Sequence, residues 1–136
     1  MHSVNVNAIE MFQALSDKTR LRLMRLLVSE PREEACLCEF SDSLREPEYN
    51  LSRHLKVLRQ TGLLSAIKEG RWVYHRLVHT ESVQPFYALV AQLDDADGSF
   101  SEDIKRFRAE IKRRSTSRCI KDGPELNGSR LKKRSK

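Results

Sequence analysis

The sequence is poor in what would mark a membrane or secreted protein. Its 136 residues hold three cysteines, five glycines, four prolines and one tryptophan. Three cysteines cannot all pair within one chain, and Cys36 and Cys38 are only two residues apart. A disulfide-stapled secreted domain is therefore not expected, and a reduced, cytoplasmic setting is. No apolar run approaches the about 18 residues of a membrane span. The start, Met1-His2-Ser3-Val4-Asn5, lacks the basic-then-apolar pattern of a signal peptide. Hydrophobic residues make up 39%, enough for one small core. Dimerisation would help such a chain bury its apolar helix faces.

The net charge of +6 is unevenly spread. Residues Lys112 to Lys136 carry ten Lys/Arg against two acidic residues, a net of +8, and the preceding 111 residues carry fifteen against seventeen, a net of −2. Glycine, serine, proline and charge dominate from Lys112 on. The expected division is thus a folded domain over 1–111 and a basic, disordered tail over 112–136. Within the domain, Arg45 to Arg76 holds seven Lys/Arg against three Glu, a local +4. Phosphate neutralisation needs that kind of excess on the docking face.

Apolar periodicity predicts mostly helices. Ala8, Met11, Phe12 and Leu15 recur at helical spacing, so a first helix is expected over Asn5–Leu15. Asp17 then caps a second over Lys18–Ser29. That helix is apolar around much of its circumference, so Arg20, Arg22 and Arg25 are expected to reach outward; Pro31 ends it. A short third helix is expected from Glu33-Glu34 to Leu44, with Cys36 and Cys38 near its start. Buried cysteines serve as small hydrophobes or as thiolate ligands. A helix start favours the thiolate, and the acidic neighbours Glu34 and Glu39 oppose it.

After a turn at Arg45-Glu46-Pro47, Leu51, Leu55 and Leu58 face the core from a fourth helix. Tyr49, Ser52, Arg53, Lys56 and Gln60 fall on its other side, which is either a solvated surface or a reading face for the major groove. Gly62 ends that helix. Two strand-like runs, Leu63–Ile67 and Trp72–Leu77, are joined by a tight turn at Lys68-Glu69-Gly70-Arg71. Lys68 and Arg71 flank its tip, placed for phosphate or minor-groove contact. His75 and His79 read as structural or exposed. A fifth helix, capped by Thr80 or Ser82, carries Phe86, Leu89, Val90 and Leu93. Asp94-Asp95-Ala96-Asp97-Gly98 breaks it and lacks the ligand ladder of a calcium loop. Ser99 to Glu102 reads as a capping box for a last helix with Ile104, Phe107 and Ile111. The first, fifth and last helices are the expected dimer surface.

These blocks, Phe12–Arg20, Ala35–Phe40, Ser52–Arg59 and Glu69–Tyr74, resemble the ArsR/SmtB family of metalloregulatory repressors in order and spacing, over roughly Asn7 to Leu77. The resemblance implies a mainly α fold with a small β-hairpin: a winged helix-turn-helix of order α-α-α-α-β-β-α-α, acting as a homodimer. It implies a repressor and not an enzyme, with no catalytic cofactor. Its partner would be double-stranded operator DNA carrying an inverted repeat, and its inducer As(III) or Sb(III). DNA-contact candidates are Tyr49, Asn50, Ser52, Arg53, His54, Lys56, Gln60, Lys68 and Arg71; Ser52 and His54 come from family position. The arsenic-sensing members resemble the chain at Cys36-Leu37-Cys38, but Ser41 stands where their third cysteine falls. The metal site would therefore be Cys36 and Cys38 alone, or these with Cys119 of the same or the partner chain. The family's other site, His/Asp ligands on the fifth helix, is not matched, since Thr80 to Asp97 contains no histidine. Pro47 and Tyr49 also depart from the residues common at the turn.

Residues two apart on an α-helix point about 200° apart. Joint ligation by Cys36 and Cys38 is therefore expected to distort the start of the third helix and so shift the fourth. Cd(II), Pb(II) or thiol oxidation would suit the same thiols. Two readings from other classes are weighed as well. A thiol oxidoreductase would need a Cys-x-x-Cys motif near a βαβ pattern, which the chain lacks. A non-specific DNA binder driven by the tail would show no inverted-repeat preference.

Overall fold

The second helix organises the structure, a computed structural model that describes residues 2–114. The elements are α1 (His2–Leu15), α2 (Lys18–Ser29), α3 (Leu37–Leu44), α4 (Glu48–Gln60), β1 (Leu64–Glu69), β2 (Trp72–Leu77), α5 (Gln84–Ala91) and α6 (Ser99–Arg113). This is the expected winged helix-turn-helix order. Asp17 caps α2 by accepting the Arg20 amide at 3.0 Å. Leu23, Met24, Leu26 and Leu27 are fully buried, and α2 touches every other helix.

The α2 arginines do not simply reach outward, because neighbouring helices end beside them. Arg20 donates to the Ala14 carbonyl (2.5 Å), Arg22 to that of Leu44 (2.9 Å), and Arg25 to those of Val90 (3.2 Å) and Leu93 (3.0 Å). Each satisfies carbonyls that a helix C-terminus leaves without partners. Arg22 also forks onto Asp103 of α6, with both contacts at 2.8 Å. Asp103 is 1% exposed, and its hydrogen bonds, then its charge, hold the Arg22 guanidinium above its ordinary range against the effect of burial.

Several boundaries differ from the periodicity reading. The third helix begins at Leu37 and not at Glu33-Glu34. Ala35 spends its N–H and C=O on an antiparallel bridge to His75, at 3.0 and 2.8 Å, so the chain is extended there. α5 is preceded by Val83 and has Pro85 in its first turn, so neither Thr80 nor Ser82 is its cap. α6 starts at Ser99 after Gly98. The aspartate run serves that helix start. Asp95 accepts the Ser101 hydroxyl (2.6 Å) and the Phe100 and Ser101 amides (2.9 and 3.0 Å), and Asp97 accepts the Ser99 amide (3.0 Å); these bonds, the hydroxyl foremost for Asp95, draw both carboxyls below their usual range. α6 runs to Arg113, two residues past the domain boundary drawn from composition.

β1 and β2 pair antiparallel from Glu69↔Trp72 to Leu64↔Leu77. Gly70 takes the left-handed conformation (φ 62°) the tight turn needs. Tyr87 of α5 fastens the base of this wing: its hydroxyl accepts the Val78 amide at 2.8 Å and donates to the Leu63 carbonyl at 2.9 Å. α6 buries Phe100, Asp103, Phe107 and Glu110 on one stripe, and Phe107 stacks on Phe40 of α3. Much of its apolar side is therefore used within the chain. α1 and α5 leave Ile9, Phe12 and Leu89 at 59%, 55% and 45% exposure.

Candidate thiol site and nucleic-acid interface

Because the helix begins one residue after it, Cys36 is the N-cap of α3, with extended backbone (φ −94°, ψ 170°). This corrects the helical-wheel expectation that Cys36 and Cys38 point apart. Their sulfurs lie 3.0 Å from one another. Both cysteines are buried, against Tyr74 and the half-buried Trp72 of the wing. Cys36 is disulfide-bonded here and Cys38 is a free thiol, so a species taking both sulfurs needs the chain reduced but does not first have to break a helical turn.

The turn is held from below. Glu39, 2% exposed, accepts the Cys36 amide at 3.2 Å. Arg114 grips the same carboxylate with two bonds, of 2.7 and 2.5 Å, and donates to the Glu34 carbonyl at 2.6 Å. Burial works against the Arg114 charge, but Glu39 and Glu33 outweigh it, and its pKa is raised. A bidentate buried pair of this kind fixes direction as well as position. Sequence reasoning missed both roles. Glu39 stands at the third helical position, where a capping carboxylate belongs, but that signal is visible only once the helix start is placed correctly. Arg114 lies 75 residues from Glu39 and had no local signal.

Above the thiols is a cavity of about 460 Å³, bounded by the thiol turn, α4 and β2. Cys36 and Cys38 line it together with Ser52 and Arg59 of α4, and Arg71, Trp72 and His75 of the wing. The thiol pair thus opens toward the two elements a winged helix-turn-helix presents to DNA. On α4, Tyr49 is 78% exposed, and Ser52, Arg53, Lys56 and Gln60 are exposed, while Leu51, Leu55 and Leu58 are buried. Lys68 and Arg71 are exposed at the wing tip, and the Arg71 guanidinium lies 5.4 Å from the Trp72 ring centroid. Asn50 is half-buried and donates to Glu46 at 3.3 Å. His54 turns toward α2, where its Nδ1 is 3.0 Å from Arg20 and 3.8 Å from Asp17. Cys119 lies outside the described residues. Among the described residues no three His, Cys, Asp or Glu side chains are grouped to hold a metal ion, so they provide a pair and not a complete cage. No helix among them is long and apolar enough to cross a membrane.

A further residue, one without a functional signal in the sequence, is His75. It is 4% exposed. Strand alternation alone would place it opposite the buried Tyr74, but the Ala35 bridge and Phe40 cover it. Arg59 donates to its Nε2 at 2.8 Å. Burial and the Arg59 charge push the imidazole down to about 4, against a weaker upward pull from the Ala35 carbonyl.

A family model described as "Helix-turn-helix domain" matches residues 15–65. The chain is 35% identical over 86 residues to an uncharacterized HTH-type transcriptional regulator of Methanocaldococcus jannaschii, covering 63% of this chain and 93% of that protein. It is 44% identical over 69 residues to the arsenical resistance operon repressor of Escherichia coli, covering 51% of this chain and 57% of the repressor. Among solved structures, HlyU from Vibrio cholerae superposes with a TM-score of 0.57 at 29% identity, covering 66% of this chain and 94% of that one.

Proposed function

This chain belongs to the ArsR/SmtB family of winged helix-turn-helix transcriptional regulators, and on that premise we propose that it is a metal(loid)-responsive repressor. It binds an operator inverted repeat as a homodimer and releases it when As(III) or Sb(III) takes the thiolates of the reduced chain. The observation that carries this reading is the 3.0 Å approach of Cys36 and Cys38 in the wall of the cleft between α4 and the wing. Soft thiolate donors suit a soft ion.

Cys119 of the same chain is the third ligand in this reading. Arg114 is anchored beside the thiol turn through Glu39 and Glu34, and five further residues reach at most about 18 Å. The reading face is Tyr49, Asn50, Ser52, Arg53, Lys56 and Gln60, with Lys68 and Arg71 on the flanking backbone and His54 steadying α4 against α2. Arginine and the amides suit base edges, and lysine suits phosphate.

The test is fluorescence anisotropy of an inverted repeat from upstream DNA, with arsenite added to the preformed complex. Cys38→Ser is expected to bind DNA as wild type and to lose release. Cys119→Ser is expected to lose most of it. Full release from Cys38→Ser would refute the thiolate mechanism. Release from Cys119→Ser but not from Cys38→Ser would leave a two-thiolate sensor. Cd(II) in place of arsenite gives the second reading its chance, since the same sulfurs suit it.

A further inference from the structure

We propose that His75 couples the thiol turn to both DNA-binding elements, so that occupancy of the sulfurs is felt by the wing and by α4 together. The inference rests on the metal-responsive reading above and adds the path by which it acts.

Three moving parts meet at this one residue. The thiol turn reaches it through the backbone: Ala35, next to Cys36, exchanges both of its backbone bonds with His75. The wing contains it, because His75 is part of β2 and pairs with Ala66 of β1 on the other edge. α4 reaches it through the side chain, where Arg59 donates to Nε2 at 2.8 Å. Cys36 cannot move without Ala35, nor Ala35 without the strand that carries Trp72 and Arg71. The imidazole then carries that movement to the last turn of the reading helix.

The chemistry of the ring fits this role. A guanidinium only donates, so Nε2 is the acceptor and the proton sits on Nδ1. Nδ1 is buried without a hydrogen-bond partner of good geometry, an arrangement that costs stability and needs a reason. A leucine would fill the space without that cost, but it could not receive Arg59. Small shifts at such junctions become larger ones because packed elements switch between discrete arrangements.

The test is a coupling measurement on the full chain: operator affinity with and without arsenite, with thiol occupancy followed separately by its ultraviolet sulfur-to-arsenic absorption. Wild type is expected to show a ratio in the range of about 5–150-fold. In His75→Leu the ratio is expected to fall to within about twofold of unity, with arsenite binding and unliganded DNA binding preserved. His75→Gln, whose amide oxygen can stand near the place of Nε2, is expected to restore most of it. Arg59→Met is expected to lose the same coupling, and the double variant to lose no more, as members of one path do. A wild-type ratio in His75→Leu, additive losses in the double variant, or loss of arsenite binding itself would each overturn the proposal. If His75→Leu does not fold, Arg59→Met decides alone, and a wild-type ratio there overturns it. Absence of release from the wild-type chain would sink the sensor reading and this path with it; release with unchanged variants would sink only the path.

Discussion

At the scale of single residues, burial decides charge. The imidazole of His75, pushed down to about 4, stays neutral in the folded chain across the physiological range, whereas in the unfolded chain it protonates near pH 6.5. Between those two values the unfolded state holds a proton that the folded state refuses. Stability therefore falls as pH drops from about 6.5 to 4, by up to about 3 kcal/mol from this group. Urea midpoints measured across that window should fall less steeply for His75→Gln than for wild type. Equal slopes would show that His75 is not the group responsible. Partners answer burial at Glu39, which is 2% exposed and receives Arg114 on both oxygens and the Cys36 amide on one.

At the scale of elements, helix ends carry most of the information. Three α2 arginines satisfy carbonyls at the ends of α1, α3 and α5, and two aspartates satisfy amides at the start of α6. α3 closes on Arg45, which adopts a left-handed conformation (φ 58°, ψ 43°) just before the turn into α4. A side chain is strained there by about 1 kcal/mol relative to glycine. Arg45→Gly is accordingly expected to raise the urea midpoint, with a gain of up to about 1 kcal/mol less the greater entropy of the unfolded chain. A loss of more than about 1 kcal/mol would mean that Arg45 makes a stabilising contact outweighing its strain. Gly62, by contrast, already supplies the positive φ (87°) that ends α4 and sends the chain into the wing.

At the scale of the whole molecule, the exposed apolar faces of α1 and α5 ask for a partner. Phe12, edge-on to Phe86 at 5.0 Å, stands beside exposed Ile9 on one such face. Phe12→Asp is expected to shift the chain toward monomer in sedimentation velocity and to abolish tight binding to an inverted repeat while leaving half-site binding weak. A dimer that survives unchanged would place the interface elsewhere. The tail makes a separate prediction. Residues 115–136 contain seven Lys/Arg. Removing them is expected to flatten the salt dependence of DNA affinity, by up to about 0.9 in log–log slope for each phosphate they neutralise. Preference for the inverted repeat should remain. If that preference vanished with the tail, the tail and not α4 would be the reader.

The sequence by itself determined the element order, the exposed polar face of α4 and the hairpin tip. Each depends on local periodicity or on a turn residue: Leu51, Leu55 and Leu58 at helical spacing, and Gly70 between two alternating runs. It also placed the thiols near a helix start. Only the tertiary structure decided that they converge. The start of α3 is set by a backbone bridge between Ala35 and His75, 40 residues apart, and that bridge moves Cys36 out of the helix. The same holds for Glu39 with Arg114 and for Arg59 with His75. Their partners are remote in sequence, and burial gives those contacts their weight, because buried charges and ring nitrogens depend on the partner that the fold brings to them.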